Sequence, residues 1–280
     1  MRFLLPLLAV LPLAGCALPA KPKPAARPLE NSTPPAATVA VTEPPPAPSP
    51  PATAEFTPRI RSATITGIDF EGVEFDARSH RLTVVDQPLG PGSEFSDASG
   101  AGRSVKGIAG VNAGFFTPEG APLGLVVHGG RVSGSWNPSS LGSGVWLQDS
   151  SGSMAIRRRE AVGRSAATGM RELLQAGPLL VENSRSVSGL DPHKSSIRTL
   201  ILWDGGQRWW IGRAAACSLA GLGQALVSGS PTGWPIRQAL NLDGGRSADL
   251  WISGTVSGGP LTRRPPWNRP VRNFLVITAL

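Results

Sequence analysis

The sequence predicts an α+β fold: a mainly β-sheet core covered by a few short helices, forming a single domain after a disordered tether. Three observations lead there. Its apolar segments are short, rich in β-branched residues and separated by glycine turns, as strands are. Helical signals are confined to two brief stretches. Before about Pro58 the chain is mostly Pro, Ala, Thr and Ser, with too little apolar surface to offset the entropy of ordering it.

At the N-terminus, Arg2 precedes an apolar run from Phe3 to Leu13, which is too short to span a bilayer and reads as a signal peptide over residues 1–15. Leu13-Ala14-Gly15-Cys16 has the small residues of a lipobox, so Cys16 is expected to carry a diacylglycerol and to begin the mature chain. Ala17 follows, which suits delivery to the outer membrane, facing the periplasm of a bacterial cell envelope. Residues 16–58 then form a Pro/Ala-rich linker, and residues 59–280 the folded domain.

Within that domain, strands are expected around Arg81 to Val85, Leu123 to Val127, Val145 to Gln148, Leu179 to Val181, Thr199 to Trp203, Trp209 to Gly212 and Phe274 to Thr278. Gly129-Gly130 marks a turn, and Asp204-Gly205-Gly206 reads as a hairpin. Ala166 to Leu174 and Ser218 to about Val227 are the expected helices, the second capped by Ser218. Of the eight tryptophans, most are expected to fill the core.

With Cys16 lipidated, Cys217 is the one remaining cysteine, so no intramolecular disulfide is available. Its apolar neighbours suggest a buried small hydrophobe rather than a nucleophile. The formal net charge is +8, from 27 basic and 19 acidic residues. An exported lipoprotein does not meet chromosomal nucleic acid, so nucleic acid is not the expected partner. Genome composition alone can give such an arginine-rich chain, and the functional alternative is a grip on phosphate or acidic polysaccharide, suited to the forked donors of arginine; charge by itself does not separate the two. His80, His128 and His193 lack metal-ligand spacing, and the sequence contains no Gly-x-Ser-x-Gly elbow, P-loop, His-Glu-x-x-His or Cys-x-x-Cys.

Four polar motifs remain. Asn112-Ala113-Gly114-Phe115-Phe116 sets an amide on a close turn anchored by two aromatics, and that amide either meets a ligand or satisfies the turn. Gln175-Ala176-Gly177-Pro178 reads as a rigid joint from helix to strand. Arg198 heads an apolar strand, as a rim charge or an anion clamp. Asn241-Leu242-Asp243-Gly244-Gly245-Arg246-Ser247 delivers a carboxylate to a strand end beside two residues without side chains. A plain turn and a cation loop with Ser247 and Asp249 are the competing readings.

In this order and spacing the four motifs resemble those of the phosphodiester glycosidases, over roughly residues 65 to 280. The family includes an animal enzyme that removes N-acetylglucosamine from a phosphodiester. The resemblance implies an α+β fold and a cleft lined by Asn112, Gln175, Arg198, Asp243 and Ser247. This chain differs in carrying Thr199-Leu200-Ile201, Glu182-Asn183 and Arg246 where relatives have other, often smaller residues.

The implied substrate is a sugar 1-phosphodiester or phosphorylated glycan, and the implied reaction is hydrolysis at C1. Asp243 would serve the carbohydrate cation, Arg198 the phosphate, and Asn112 and Gln175 the orientation of substrate. Gly114, Gly177, Gly244, Gly245 and Ser247 would line the binding site. No cofactor is needed for this chemistry. Two other arrangements stand beside it: a non-catalytic envelope module that binds phosphorylated or acidic glycans, and a metal-dependent hydrolase using Asp243 and Asp249.

Overall fold

Strands that are apolar at successive positions must be covered on both faces, and three antiparallel sheets with short helices achieve this. A computed structural model describes residues 56–280 apart from residue 168. The expected signal peptide, Cys16 and the expected linker as far as residue 55 lie outside the described residues.

The chain begins with β1 (Arg59–Ile65), β2 (Ile68–Asp76) and β3 (His80–Asp86), then α1 (Ala98–Ser104) and β4 (Ala109–Asn112). Next come β5 (Val126–His128), β6 (Arg131–Ser133), β7 (Gly144–Gln148) and β8 (Met154–Arg158), followed by one-turn helices α2 (Arg159–Val162) and α3 (Arg164–Ala167). β9 (Glu172–Ala176), β10 (Leu179–Glu182), β11 (Arg185–Ser186), β12 (Ser196–Trp203) and β13 (Arg208–Cys217) lead to α4 (Leu219–Ser228). The chain ends with β14 (Gln238–Asn241), β15 (Leu250–Ile252), β16 (Leu261–Arg263) and β17 (Asn273–Ala279).

The sheets have the orders β1-β2-β13-β12-β14-β10-β11, β16-β15-β4-β17-β3 and β6-β5-β9-β7-β8. All three feed one apolar cluster, with Val73, Ile201 and Leu240 from the first, Val111 and Leu275 from the second, and Trp146 and Leu174 from the third. α4 covers the other face of the first sheet, placing Leu222, Ala225 and Leu226 among Leu180, Leu200 and Trp210. Ser218 caps this helix by accepting from the Gly221 amide. α1 covers the second sheet, packing Ala98 and Ala101 beside Trp251 and Phe274.

Most of the expected strands appear, although the segment expected from Leu123 pairs only as β5. The hairpin between β12 and β13 turns at Asp204, whose side chain accepts from the amides of Gly206 and Arg208. Cys217 is buried and free, as expected. Trp146, Trp209 and Trp210 are fully buried core residues, whereas Trp267 stands exposed.

The helix expected over Ala166 to Leu174 is corrected. Only the single turn α3 is helical, and Glu172 to Ala176 is the central strand of the third sheet. Leu173 and Leu174 enter different apolar clusters. A central strand covered on both faces is apolar at successive positions, a pattern that resembles a buried helix in sequence. The Gly177-Pro178 joint therefore links two strands in different sheets, not a helix to a strand.

Candidate active site

The segment after β14 is stitched to three other parts of the chain. The Asn241 amide donates to the Pro178 carbonyl, Leu242 N–H to Thr199 O at 2.8 Å, and Asp243 N–H to Ala113 O at 2.9 Å. The Asn241 side chain donates to the Gly177 carbonyl at 2.8 Å. Each bond satisfies a main-chain group buried where a strand ends, and together they fix the path of the loop that carries Asp243.

Asn112 is the hub. Its Nδ2 donates to the Asp243 carbonyl at 2.6 Å, while its Oδ1 accepts from the Thr199 hydroxyl at 2.8 Å and the Asp249 amide at 3.0 Å. With no solvent exposure and every bond made to protein, Asn112 is a positioning residue in this geometry. The direct catalytic part expected for it is not what its contacts support.

Asp243 itself is 8% exposed. Burial pushes its carboxyl above the usual carboxylate range, against the opposing pull of the Ser247 hydroxyl, the Arg269 guanidinium and the Gly244 amide. Arg269 Nη2 lies 3.9 Å from Asp243 Oδ2, and its Nε donates to the Ser247 hydroxyl at 3.2 Å. The guanidinium rests over the Phe116 ring, 4.8 Å from its centroid. Its own amide donates to the Arg246 carbonyl. One motif thus supplies both Asn112, which holds the main chain of Asp243, and Phe116, which supports the cation facing its carboxylate.

The two neighbouring glycines are required by the chain itself. A Cβ on Gly244 would stand 2.4 Å from the Ile197 carbonyl oxygen, and Gly245 has a φ of +60°. Openness to a ligand, the reason expected from sequence, is secondary to this packing. Gly114 donates its amide to Asn273 Oδ1 at 2.7 Å, and a Cβ on Gly177 would meet the Ser140 carbonyl.

Two expected substrate contacts have other employment. Gln175 Oε1 accepts from the amides of Leu125 and Asn137, and its Nε2 donates to the carbonyls of Asn137 and Gly142. All its hydrogen-bonding positions are therefore occupied by main chain. Arg198 Nε donates to the Cys217 carbonyl at 3.1 Å and Nη2 to the Lys194 carbonyl at 2.6 Å. Burial lowers its pKa, and the groups that oppose this are Cys217 and Asp191 rather than Asp243. The guanidinium that the fold brings to Asp243 is Arg269, which no sequence motif marks.

Asp249 is also buried, with its pKa raised chiefly for that reason. Its carboxylate accepts from the Ala98 amide at 2.9 Å, at the start of α1. Among the described residues no group of three or more His, Cys, Asp or Glu side chains is placed to hold a metal ion. Asp243, Ser247 and Arg269 form a compact set: a carboxylate, a hydroxyl and a cation, held on rigid backbone.

The profile of the phosphodiester glycosidase family matches residues 106–278. No curated protein matches the chain. Among solved structures, the catalytic domain of the zebrafish N-acetylglucosamine-1-phosphodiester alpha-N-acetylglucosaminidase, auto-inhibited by its pro-peptide, superposes with a TM-score of 0.56 at 15% identity. The match covers 81% of this chain and 85% of that one. A hypothetical protein from Synechocystis superposes with a TM-score of 0.53 at 18% identity, over 79% of this chain and 61% of the other. At these identities the likeness is one of fold.

Proposed function

We propose, from the premise that this chain belongs to the phosphodiester glycosidase family, that it is a hydrolase cutting the C1–O bond of a sugar 1-phosphodiester in a glycan or glycoconjugate. The observation that supports this reading most is the buried Asp243 carboxyl with Arg269 and Ser247 beside it.

The chemistry explains why one carboxylate suffices. An alcohol leaving group must be protonated as its bond breaks, which is why most glycosidases carry two carboxyl groups. A phosphodiester linkage expels a phosphate monoester, already a stable anion, so the site needs charge stabilisation more than acid catalysis. In the proposed reaction Asp243 stabilises the positive charge growing at C1 and orients or deprotonates the incoming water. The C1–O bond breaks, its electron pair leaves on the phosphate oxygen, and water oxygen bonds to C1. Arg269, whose side chain is half exposed, takes the phosphate oxygens, and the fully buried Ser247 hydroxyl holds that guanidinium by accepting from its Nε. The clamp expected at Arg198 falls to Arg269 on this geometry, with Arg198 holding the carbonyls of Lys194 and Cys217.

Incubating the intact protein with sugar 1-phosphodiesters in oxygen-18 water tests both activity and bond choice. Label in the sugar is the expected outcome. Label in the phosphate would show P–O cleavage, and binding without turnover would favour a non-catalytic glycan-binding module.

The pH profile supplies a second test. If the ionised Asp243 is required, kcat/KM falls as pH drops through its raised pKa. Arg269→Gln removes a cation that favours ionisation, so the carboxyl rises further and the acid limb moves to higher pH. The same variant should lose roughly tenfold to a hundredfold in kcat/KM, the scale of one charge-assisted hydrogen bond to phosphate. An unmoved limb would uncouple the two residues.

The lipobox-like Leu13-Ala14-Gly15-Cys16 supports an outer-membrane lipoprotein facing the periplasm, with the linker as spacer. Cys16→Ser should move the protein from the membrane to the soluble fraction. Unchanged membrane association would require another anchor.

A further inference from the structure

Arg213 lies on β13, opposite Glu71 of β2 and Thr199 of β12. Among the described residues its side chain makes no hydrogen bond and no ion pair, although it is half-buried. Its natural counter-ion is already engaged, because Arg263 grips Glu71 with two bonds of 2.7 and 3.0 Å. The other acidic wall residue, Asp69, accepts from the Thr64 hydroxyl at 2.6 Å. Burial lowers the Arg213 pKa, the charge of Glu71 opposes that shift, and the nearby Arg263 adds repulsion. A half-buried guanidinium that lines an open cavity without a protein partner can turn its forked donors to an arriving oxyanion.

The space around it comes up to the chain that borders the candidate active site, through Ile197 and Trp267. Arg213 and Arg263 are shared walls of two adjoining cavities, of about 480 Å³ and about 270 Å³. The smaller reaches Ile197, Arg264 and Trp267. The Ile197 carbonyl packs directly on Gly244, and Arg246 Nε approaches the Trp267 carbonyl at 3.4 Å. Trp267 is 61% exposed, a large aromatic face left in solvent beside unpaired cations. Among the described residues Arg246 also lacks an ion pair. An open indole face suits the apolar face of a sugar ring, and the flanking guanidiniums suit oxyanions carried between rings.

The geometry points to a substrate trough running from Asp243 past Trp267 to Arg213, which takes an extended glycan bearing further oxyanions beyond the scissile phosphodiester. This rests on the hydrolase reading and specifies its substrate class: an anionic oligosaccharide rather than a lone sugar phosphodiester. Trp267 stacks a sugar unit, and Arg213 holds an oxyanion of a more distant unit.

Two probes test it: a methyl diester of a hexose 1-phosphate, with one linkage, and an oligomer of the same hexose 1-phosphate joined by repeated phosphodiesters. The parent should favour the oligomer. Arg213→Gln and Trp267→Ala should each raise KM for the oligomer about tenfold, with kcat and the single-linkage reaction within twofold of the parent. Equal losses on both probes, or no preference for the oligomer in the parent, would overturn the trough. Direct titration of the oligomer into Asp243→Asn protein separates this from the hydrolase reading. Binding that weakens with Arg213→Gln supports the trough even where no probe is turned over. Binding indifferent to both Arg213→Gln and Trp267→Ala sinks the trough even in an active hydrolase.

Discussion

Asp243→Asn is expected to fold like the parent while losing roughly a hundredfold or more in turnover, the scale on which a positioned acid-base or charge-stabilising group acts. Asparagine keeps the size of the side chain and the oxygen that accepts from the Gly244 amide at 2.9 Å. It removes the negative charge required by the proposed oxocarbenium-like state.

The stability effect has the opposite sign from the activity effect. Burial holds the Asp243 carboxyl above its unfolded-state pKa, so between those two values the folded protein binds more protons than the unfolded chain. The stabilisation from this residue is complete below the unfolded pKa and is lost as pH rises through the folded one. Above the folded pKa the parent contains a buried carboxylate at a cost that asparagine avoids. The variant should melt at the same temperature or higher at pH 7, with a flatter dependence of stability on pH. Scanning calorimetry beside turnover measurements checks both. Near-parental turnover by a well-folded variant would end the catalytic assignment, and a lower melting temperature at neutral pH would contradict the account of burial.

Asn112→Ala should damage fold and function together. It leaves the Asp243 carbonyl, the Asp249 amide and the Thr199 hydroxyl without their partner in a fully buried place. Each buried orphan costs about 1–3 kcal/mol, so a combined loss on the order of 3–5 kcal/mol is expected after partial relaxation. At about 2–4 °C per kcal/mol for a domain of this size, the melting temperature should fall by roughly 6–20 °C. Turnover of the remaining folded protein should drop at least about tenfold, because the loop carrying Asp243 loses its strut and small misplacements are expensive in catalysis. Thr199→Val, which removes one of the three partners, should show a smaller version of both effects. A folded Asn112→Ala protein with parental melting and turnover would remove Asn112 from its place as hub.

What can be read from the residues alone follows the range of the interactions involved. The short apolar runs Thr199 to Trp203 and Phe274 to Thr278, the Asp204-Gly205-Gly206 turn and the Ser218 cap are local signals, and each structure they predict is present. The failure at Glu172 to Ala176 has a physical cause, since two adjacent buried leucines do not reveal whether they face one side of a helix or two sides of a strand.

The sequence by itself determined that a mainly β domain delivers Asp243 to a strand end beside Gly-Gly, because that placement depends on a few contiguous residues. Only the tertiary structure decided what surrounds this carboxylate. Gln175 is saturated by main-chain groups from distant loops, and Arg198 turns to the carbonyls of Lys194 and Cys217. Arg269, in a segment without any motif, reaches Asp243 because Phe116 supports its guanidinium and Arg246 holds its backbone. A guanidinium is a donor wherever it stands, and which carboxylate or carbonyl it meets depends on how separate sheets pack, which no short stretch of residues encodes.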